Sequence, residues 1–389
     1  MATLAPIAKG WISTTGETGA QNYDEFADET EITRIVEANP VSMLGVEMPH
    51  RTPEMVAAGA DRARSLAYGS ERLARLKEQG LLAKARDFLV AYEIDAPTGR
   101  QLGIGLMAPT AWIWDAERNP QGRIIRNEDV FADKVEYYAD VIRALRHLPS
   151  AVMLAAPDAD ARVHGAIEEI VRSRPPPVTS RDQKGNEHRV HVVSEPAERE
   201  RLLAALEGKE LLVADGNHRS RAAQHVGLDA FFAVVLSAET MHIDEYHRAF
   251  TELGMDDAEF LEGVGAAGFE VGESGSIELY SREGRVGLTP QVERVSVPET
   301  LPHQLVEDRI VRGVLGWDPG DHRIVYVGGD YGRDYLEREV DAARFQVALG
   351  IPAVTMDDFV AVNERRLRMP RKSTWFTPKL RAGLVVVEL

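Results

Sequence analysis

The sharpest local feature of this sequence is ELLVADGNHRSRAA, residues 210–223. The pattern predicts a buried strand that ends at Asp215-Gly216 and a helix that starts immediately afterwards. A helix start offers unpaired N–H groups and the positive end of the helix dipole, which favour phosphate oxygens. Gly216 would let the backbone approach closely, and Arg219 could add a charge-assisted contact. Strand–Asp-Gly–helix turns are also ordinary connections, so the pattern alone leaves a purely structural turn open.

Strand and helix patterns alternate on both sides of this junction. Apolar residues recur at steps of 4, 3, 4 and 3 over 131–145, which predicts an amphipathic helix. Two apolar runs, 150–156 and 230–238, predict buried strands. A β-hairpin is predicted over 88–114, with its turn at 97–99. The fold class predicted is therefore mixed α/β.

The same patterns divide the chain into three predicted regions. Residues 1–94 form an N-terminal arm with a helical and β extension, and residues 95–240 form an α/β core. Residues 241–389 form a C-terminal α/β region whose basic tail contributes to the site.

Five shorter segments also receive predictions. Residues 1–30, rich in Gly, Thr and Ala, are expected to be an irregular arm. The pattern favours a short strand at 41–48 and an edge strand at 189–193. Helices are predicted at 305–315 and 341–349.

Composition excludes several classes of protein. The 389 residues include 62 acidic and 45 Lys or Arg side chains, a formal charge of −17, which disfavours nucleic acid and anionic membranes as partners. No cysteine is present, so disulfides, thiolate metal sites and a cysteine nucleophile are excluded. The longest apolar run is too short to span a bilayer. We therefore expect a globular cytoplasmic protein, and the sequence leaves its oligomeric state open.

The tail carries positive charge against this acidic background. Seven basic and no acidic residues lie between Arg365 and Arg381. Lys372, Ser373 and Thr374 could fold over a phosphate, because they offer ammonium and hydroxyl donors. A solvated basic face is the alternative.

A second polar segment, Tyr246-His247-Arg248, is a candidate for substrate binding. Arg248 could hold a carboxylate, or the segment could be a surface cluster on a loop. The five-residue separation of His242 and His247 does not match the spacing of a helical zinc site. The sequence also lacks HExxH, the P-loop motif and GxSxG.

Ordered motifs along the chain resemble those of one known family. GNHRSRA at 216–222 fits the GxxRxxA phosphate box of the ParB/sulfiredoxin-like superfamily. ADGNHR is similar to the ADGHHR box of a formerly uncharacterised bacterial and archaeal family now linked to free-serine kinases. Further matches to that family are ANPVSML (38–44), GRQLGIG (99–105), IIRNEDVFADK (124–134), EYHRAF (245–250) and MPRKSTWFTPKLRAGLV (369–385).

The resemblance implies a ParB/sulfiredoxin-like nucleotide-binding core and a kinase. Such an enzyme would transfer a phosphoryl group from ATP or ADP, with Mg²⁺, to the hydroxyl of free L-serine or a similar metabolite. Phosphoryl transfer needs in-line positioning, charge neutralisation and a base for the incoming hydroxyl. A non-catalytic ParB-like nucleotide-binding switch is the alternative function.

The resemblance also implies roles for individual residues. Glu128 would be the catalytic base, although a carboxylate that only complements a helix dipole is its alternative. The kinase assignment requires this carboxylate within reach of the backbone at Gly216. Asp215 and His218 would also be catalytic, and Asp215 would hold the metal. His247 and Arg248 would bind the substrate. The residues that would bind the phosphates of the nucleotide are Gly216, Asn217, His218, Arg219, Lys372, Ser373 and Thr374.

Three positions depart from the family pattern. Asn127 and Asn217 stand where the family has histidines, and Ser220 replaces an aromatic residue. An amide can donate and accept hydrogen bonds, but it cannot carry charge or shuttle a proton near neutral pH. We therefore expect nucleotide binding to be retained more surely than serine turnover.

Overall fold

A computed structural model of the chain describes residues 3–21, 26, 28–126, 128–157, 161–173, 175–292 and 297–389. The departure from the family at Asn127 lies outside these residues. The chain divides into two compact units. The first unit contains Met1–Arg126, Val130–Met241 and Pro378–Leu389, and the second contains Asn127–Asp129 and His242–Thr377.

Both units contain strands and helices, which confirms the mixed α/β class. The strands are β1 (Ile7–Ser13), β2 (Leu82–Ala96), β3 (Gly99–Pro109), β4 (Ile124–Ile125), β5 (His147–Leu148), β6 (Val152–Ala156), β7 (Val178–Arg181), β8 (Glu187–Val193), β9 (Leu211–Asp215), β10 (Ala230–Ser237), β11 (His242–Asp244), β12 (Tyr246–Phe250), β13 (Phe269–Gly272), β14 (Ile277–Ser281), β15 (Gly284–Pro290), β16 (Ile324–Gly328), β17 (Val347–Gly350), β18 (Trp375–Thr377) and β19 (Val385–Glu388).

The helices frame these strands. They are α1 (Thr30–Ala38), α2 (Leu44–Glu47), α3 (Pro53–Ala57), α4 (Arg62–Glu78), α5 (Ala132–Leu145), α6 (Ala161–Ser173), α7 (Pro196–Ala205), α8 (Asn217–His225), α9 (Asp257–Ala266), α10 (Pro302–Leu305), α11 (Arg333–Asp341) and α12 (Met356–Glu364), with a π-helix at Val306–Val314. Short 3₁₀ turns lie at Pro49–Arg51, Thr110–Trp112, Ala238–Thr240 and Gly329–Tyr331. Within the described ranges, no helix has both the length and the apolar character needed to cross a bilayer.

The first unit is built on a large sheet with the strand order β4-β9-β6-β10-β3-β2-β1-β19-β5. Strands β2 and β3 form the predicted hairpin, whose last pair, Ala96 and Gly99, closes a two-residue turn. Helix α5 lies where the apolar spacing predicts it, with Val135, Tyr138 and Ile142 buried. This sheet positions the 210–223 segment because β9, buried between β4 and β6, ends where α8 begins.

The second unit contains an antiparallel sheet with the order β13-β15-β14-β17-β12-β16 and a separate β11–β18 ladder. Its core packs Phe250, Phe260, Val306 and Ile310 together. The helix predicted at 305–315 is observed mainly as the π-helix, a conformation that is rare and often marks functional sites.

Several local predictions differ from the structure. The N-terminal arm contains β1, because β1 finds partners on both sides in β2 and β19. The expected strand at 41–48 contains α2, whose four residues are all buried, so no alternation of buried and exposed positions distinguishes the two structures there. The expected helix at 341–349 ends in β17, which pairs with both β12 and β14.

Two predictions of position also differ. The segment 189–193 belongs to β8, which pairs with both β2 and β7 and so is not an edge strand. The regional boundary placed after residue 94 falls inside β2, a strand that joins the N-terminal region to the predicted core. The boundary placed after residue 240 is close to the unit boundary at Met241. The ParB/sulfiredoxin-like assignment of the core stays a prediction.

Candidate functional site

The junction between β9 and α8 has the conformation that the sequence predicts. Gly216 is the N-cap of α8 and adopts a left-handed conformation, with φ 93° and ψ 30°. Its carbonyl accepts the N–H of Ser220 at 2.9 Å, which starts the helix ladder. A Cβ at this position would lie 3.1 Å from Nε of Arg219, so both the backbone and the space favour glycine. We call the backbone from Gly216 to Arg219 the cradle.

A cluster of charges lies beside the cradle. Asp215 accepts a hydrogen bond from Nη2 of Arg219 at 2.5 Å and another from Nζ of Lys379 at 2.9 Å. The two cationic side chains are each only 7% exposed. Nη1 of Arg219 also donates to the Ala151 carbonyl. Two cations and one carboxylate sum to +1, which adds to the helix dipole in attracting an anion.

This arrangement changes the roles expected for Arg219 and Asp215. The two Nη atoms of Arg219 join the end of β9 to the start of β6, which gives this guanidinium a structural contact. Each carboxylate oxygen of Asp215 faces a cation, which opposes direct coordination of Mg²⁺. No group of three or more His, Asp or Glu side chains is placed to hold a metal in the part of the chain that the structure describes. The described residues therefore do not fit a magnesium ion held by Asp215.

His218 contacts the start of another helix. It is only 2% exposed, and its ring stacks on Phe131 at 5.9 Å between centroids. The Nε2 atom accepts the backbone N–H of Phe131, the N-cap of α5, at 3.1 Å. An accepting Nε2 carries no proton, so the neutral ring has its proton on Nδ1. This contact gives His218 a structural role, and its predicted roles on phosphate and in catalysis stay predictions.

Asn217 and Ser220 are buried in the first turn of α8. Asn217 is 8% exposed, and its Oδ1 atom has no hydrogen-bond partner among the described residues. A buried polar atom of this kind indicates a site for water or ligand. The Ser220 hydroxyl donates to the Asn217 carbonyl at 3.0 Å, and the Ser220 side chain is fully buried.

Glu128 belongs to the second unit. It forms an isolated β-bridge with Met369, and the adjacent Asp129 forms an ion pair with Arg368. Its negative charge also acts on Arg248 and opposes the lowering of the Arg248 pKa that burial causes. The structure thus brings the predicted base together with a residue predicted to bind substrate.

Arg248 and His247 lie on β12, not on the surface loop that is the alternative. Arg248 is 2% exposed, lies over the Tyr326 ring at 4.4 Å, and donates to the carbonyls of Arg371 at 2.8 Å and Lys372 at 3.0 Å. His247 is fully buried, and burial lowers its pKa to about 4, so it is neutral at pH 7. Arg248 therefore fixes the backbone of the basic tail, and substrate binding by either residue stays a prediction.

The basic tail is divided between the units. In the second unit, Lys372 adopts a left-handed conformation with φ 54°, and its ammonium lies 5.8 Å from the Tyr246 ring centroid. Ser373 is fully buried, and its Oγ atom has no hydrogen-bond partner among the described residues. Thr374 is half-buried. Lys379 and Arg381 belong to the first unit, and the other five basic residues of the tail belong to the second.

Glu47 and Glu307 are among the buried acids that sequence reasoning missed. Glu47 on α2 is 7% exposed, and Ser150 contacts both of its carboxylate oxygens. Glu307 on the π-helix is 8% exposed and forms an ion pair with Arg312 at 2.8 Å. The single acid in the otherwise apolar stretch 41–48 was a signal for Glu47, since an isolated charge in a buried segment needs a specific partner.

These features define a mixed α/β protein with a candidate anion-binding cradle at a helix N-terminus. The chain belongs to the family described as "Protein of unknown function (DUF1015)", whose model matches residues 14–308. This confirms the resemblance at the level of the family. No match was found among curated proteins.

Three solved structures are similar to the chain at low identity. A conserved hypothetical protein from Pyrococcus furiosus is 13% identical, with a TM-score of 0.39 over 67% of this chain and 92% of its own. A free serine kinase in complex with AMP is 12% identical, with a TM-score of 0.39 over 67% of this chain and 89% of its own. SbnI with a C-terminal truncation from Staphylococcus aureus is 12% identical, with a TM-score of 0.38 over 72% of this chain and 87% of its own.

Proposed function

We propose that this protein is a small-molecule kinase whose cradle binds the phosphates of ATP or ADP. The proposed acceptor is the hydroxyl of free L-serine or a similar hydroxylated metabolite, and the product from serine is O-phosphoserine. The observation that carries the proposal is the uncapped start of α8 beside buried charges that sum to +1. No step is assigned to a protein-held magnesium ion.

The geometry of the cradle supports phosphate as its ligand. Gly216 has no side chain that could cap the first N–H groups of α8, and its conformation allows a close approach to the backbone. Oriented N–H groups at the positive end of a helix suit phosphate oxygens.

Glu128 is the proposed base for the acceptor hydroxyl. Support comes from its position in the segment 124–134, which resembles the family's glutamate-containing motif, and from its electrostatic coupling to Arg248. Protein kinases use a carboxylate in this role, because it can accept the proton of the acceptor hydroxyl. Arg248 and Lys372 are the proposed sources of positive charge for the acceptor's carboxylate.

A non-catalytic nucleotide-binding switch is the second candidate function. It is favoured by the ion pair between Arg219 and Asp215, which holds the arginine of the GxxRxxA box in a structural contact. A switch needs phosphate binding at the cradle but no base at Glu128.

A product assay separates the two functions. The protein would be incubated with ATP or ADP, magnesium and L-serine, and O-phosphoserine would be detected by mass spectrometry. Glu128→Gln is expected to reduce turnover about 100-fold or more while ADP affinity is kept, because a general base contributes roughly 10²–10⁴-fold.

Asp129→Asn is the matched control, since Asp129 is the adjacent acid and pairs with Arg368. This variant is expected to retain turnover. ADP binding without product from serine and a panel of hydroxylated metabolites would favour the switch. Absence of binding to both ATP and ADP would overturn both functions.

A further inference from the structure

Glu47 has a contact geometry that indicates a protonated carboxyl group. The Oγ atom of Ser150 lies 2.7 Å from one carboxylate oxygen and 2.8 Å from the other. A hydroxyl has a single proton, so both short contacts are full hydrogen bonds only when the carboxyl also donates one. Burial raises the pKa of Glu47 to about 7, against the opposing effects of Ser150 and Arg219. The group therefore changes charge in the physiological range.

The surroundings of Glu47 connect it to the cradle. Glu47, Ser150 and Arg219 line one cavity of about 30 Å³, which is large enough for a water molecule. Tyr138 of α5 and His147 of β5 also line this cavity. Burial lowers the pKa of His147, so this ring is neutral where Glu47 titrates.

Two further groups lie on the backbone side of Glu47. The Tyr137 hydroxyl donates to the Glu47 carbonyl at 2.6 Å and also lies 3.3 Å from Nδ1 of His50. His50 is outside the set of residues that line the cavity. Among the described groups that face the Glu47 carboxyl, Arg219 is thus the one with a permanent charge.

The charge of Glu47 decides the local balance beside the cradle. Arg219, Lys379 and Asp215 sum to +1 when Glu47 is protonated, and an ionised Glu47 reduces this sum to zero. Because the charges are buried, solvent screens them less than it screens surface charges. An anion at the cradle is therefore bound more tightly when Glu47 is neutral.

We propose that Glu47 is a positioning residue that sets the charge beside the cradle, and that it takes up a proton when a phosphate anion binds there. The inference rests on the proposed function, since it requires phosphate binding at the cradle. It extends that function by making nucleotide binding proton-coupled. Glu47 acts through Arg219 and does not itself touch the phosphate.

Calorimetry of ADP binding tests the proposal with the intact protein. Titrations between pH 6 and pH 8, in buffers of different ionisation enthalpy, give the number of protons taken up. The terminal phosphate of ADP also titrates near pH 6, so the informative quantity is the difference between wild type and Glu47→Gln.

The wild type is expected to take up more protons than Glu47→Gln at pH 7–8. Between pH 6 and pH 8, the ADP affinity of the wild type is expected to fall about tenfold more than that of Glu47→Gln, because one buried negative charge appears near the site. The glutamine side chain of the variant is neutral at every pH, so the ADP affinity of Glu47→Gln should lack this additional fall. Glu71→Gln, a change to an exposed acid on α4, should behave as wild type.

Infrared difference spectroscopy provides a test that does not depend on folding of the variant. In the wild type at pH 7.5, ADP should increase the C=O band of a protonated carboxyl. If ADP binds and neither the band nor the proton uptake changes, the inference is wrong and the proposed function stands. If ADP does not bind at any pH, the proposed function fails and the inference fails with it.

Discussion

At the scale of the residue, Glu47 shows how burial changes the chemistry of a side chain. Its pKa rises from an ordinary 4.5 to about 7 on folding. Between these values the folded protein binds more protons than the unfolded chain, so stability falls as pH rises. The contribution of the Glu47 carboxyl to the free energy of unfolding is fully present below pH 4.5 and is lost as pH rises through about 7.

Glu47→Gln should remove this part of the pH dependence. The pKa shift corresponds to about 3 kcal/mol. The free energy of unfolding of the variant, measured relative to that of the wild type, should therefore be higher at pH 8 than at pH 5. Urea unfolding followed by circular dichroism at pH 5, 6, 7 and 8 measures the effect. The exposed control is Glu71→Gln. If the free energy of unfolding depends on pH in the same way in wild type, Glu47→Gln and this control, Glu47 is ionised from pH 5 to pH 8 and the prediction is wrong.

At the scale of the element, α8 has a glycine with positive φ at each end. Gly216 precedes the helix with φ 93°, and Gly227 follows it with φ 75°. Alanine at either position costs about 1 kcal/mol in backbone strain. A Cβ at Gly227 would have no atom within 4 Å, whereas a Cβ at Gly216 would be crowded by Arg219.

Gly216→Ala and Gly227→Ala therefore form a matched pair. Both should lose about 1 kcal/mol of stability. Gly216→Ala should in addition weaken ADP binding about tenfold or more, because the added methyl displaces Arg219 and narrows the approach to the N–H groups. Isothermal titration with ADP checks this, and equal affinities in the two variants would contradict a role of the cradle in binding.

Some elements could be predicted from their local pattern, and others could not. Helix α5 shows a regular apolar stripe, and its position follows from that stripe. Strands β1 and β17 depend on partners that are distant in sequence, and no local pattern reports such partners. Helix α2 is buried on all sides, so its residues lack the alternation that separates a helix from a strand.

At the scale of the whole molecule, the segment 378–389 completes the first unit. Strand β19 pairs with both β1 and β5, and Val386 on it is fully buried. Lys379, from the same segment, pairs with Asp215 beside the cradle. A segment far from the cradle in sequence thus contributes to both the sheet and the candidate site.

Deletion of residues 378–389 should therefore destabilise the first unit and abolish ADP binding. The loss follows from the exposed edges of β1 and β5 and from the loss of the Lys379 contact with Asp215 beside the cradle. Limited proteolysis and circular dichroism measure the effect, with deletion of the 38% exposed Leu389 as the control. Retention of the wild-type melting temperature after the longer deletion would contradict this account.

The candidate site was predictable where it lies in one continuous segment. The cradle follows from the order strand, Asp-Gly, helix, because these residues are neighbours in sequence and their backbone geometry is local. The pairing of Lys379 with Asp215 and the approach of Glu47 to Arg219 join distant segments. Contacts of this kind leave no mark in a local pattern.

Residue order and local backbone preference are enough to establish the α/β class, the strand–glycine–helix junction and the family. The buried ion pair of Arg219, the contact of His218 with the start of α5 and the titration of Glu47 near neutral pH arise only when the chain folds. They do so because charge, burial and hydrogen bonding depend on which distant groups fold together. Composition and spacing do not contain that information.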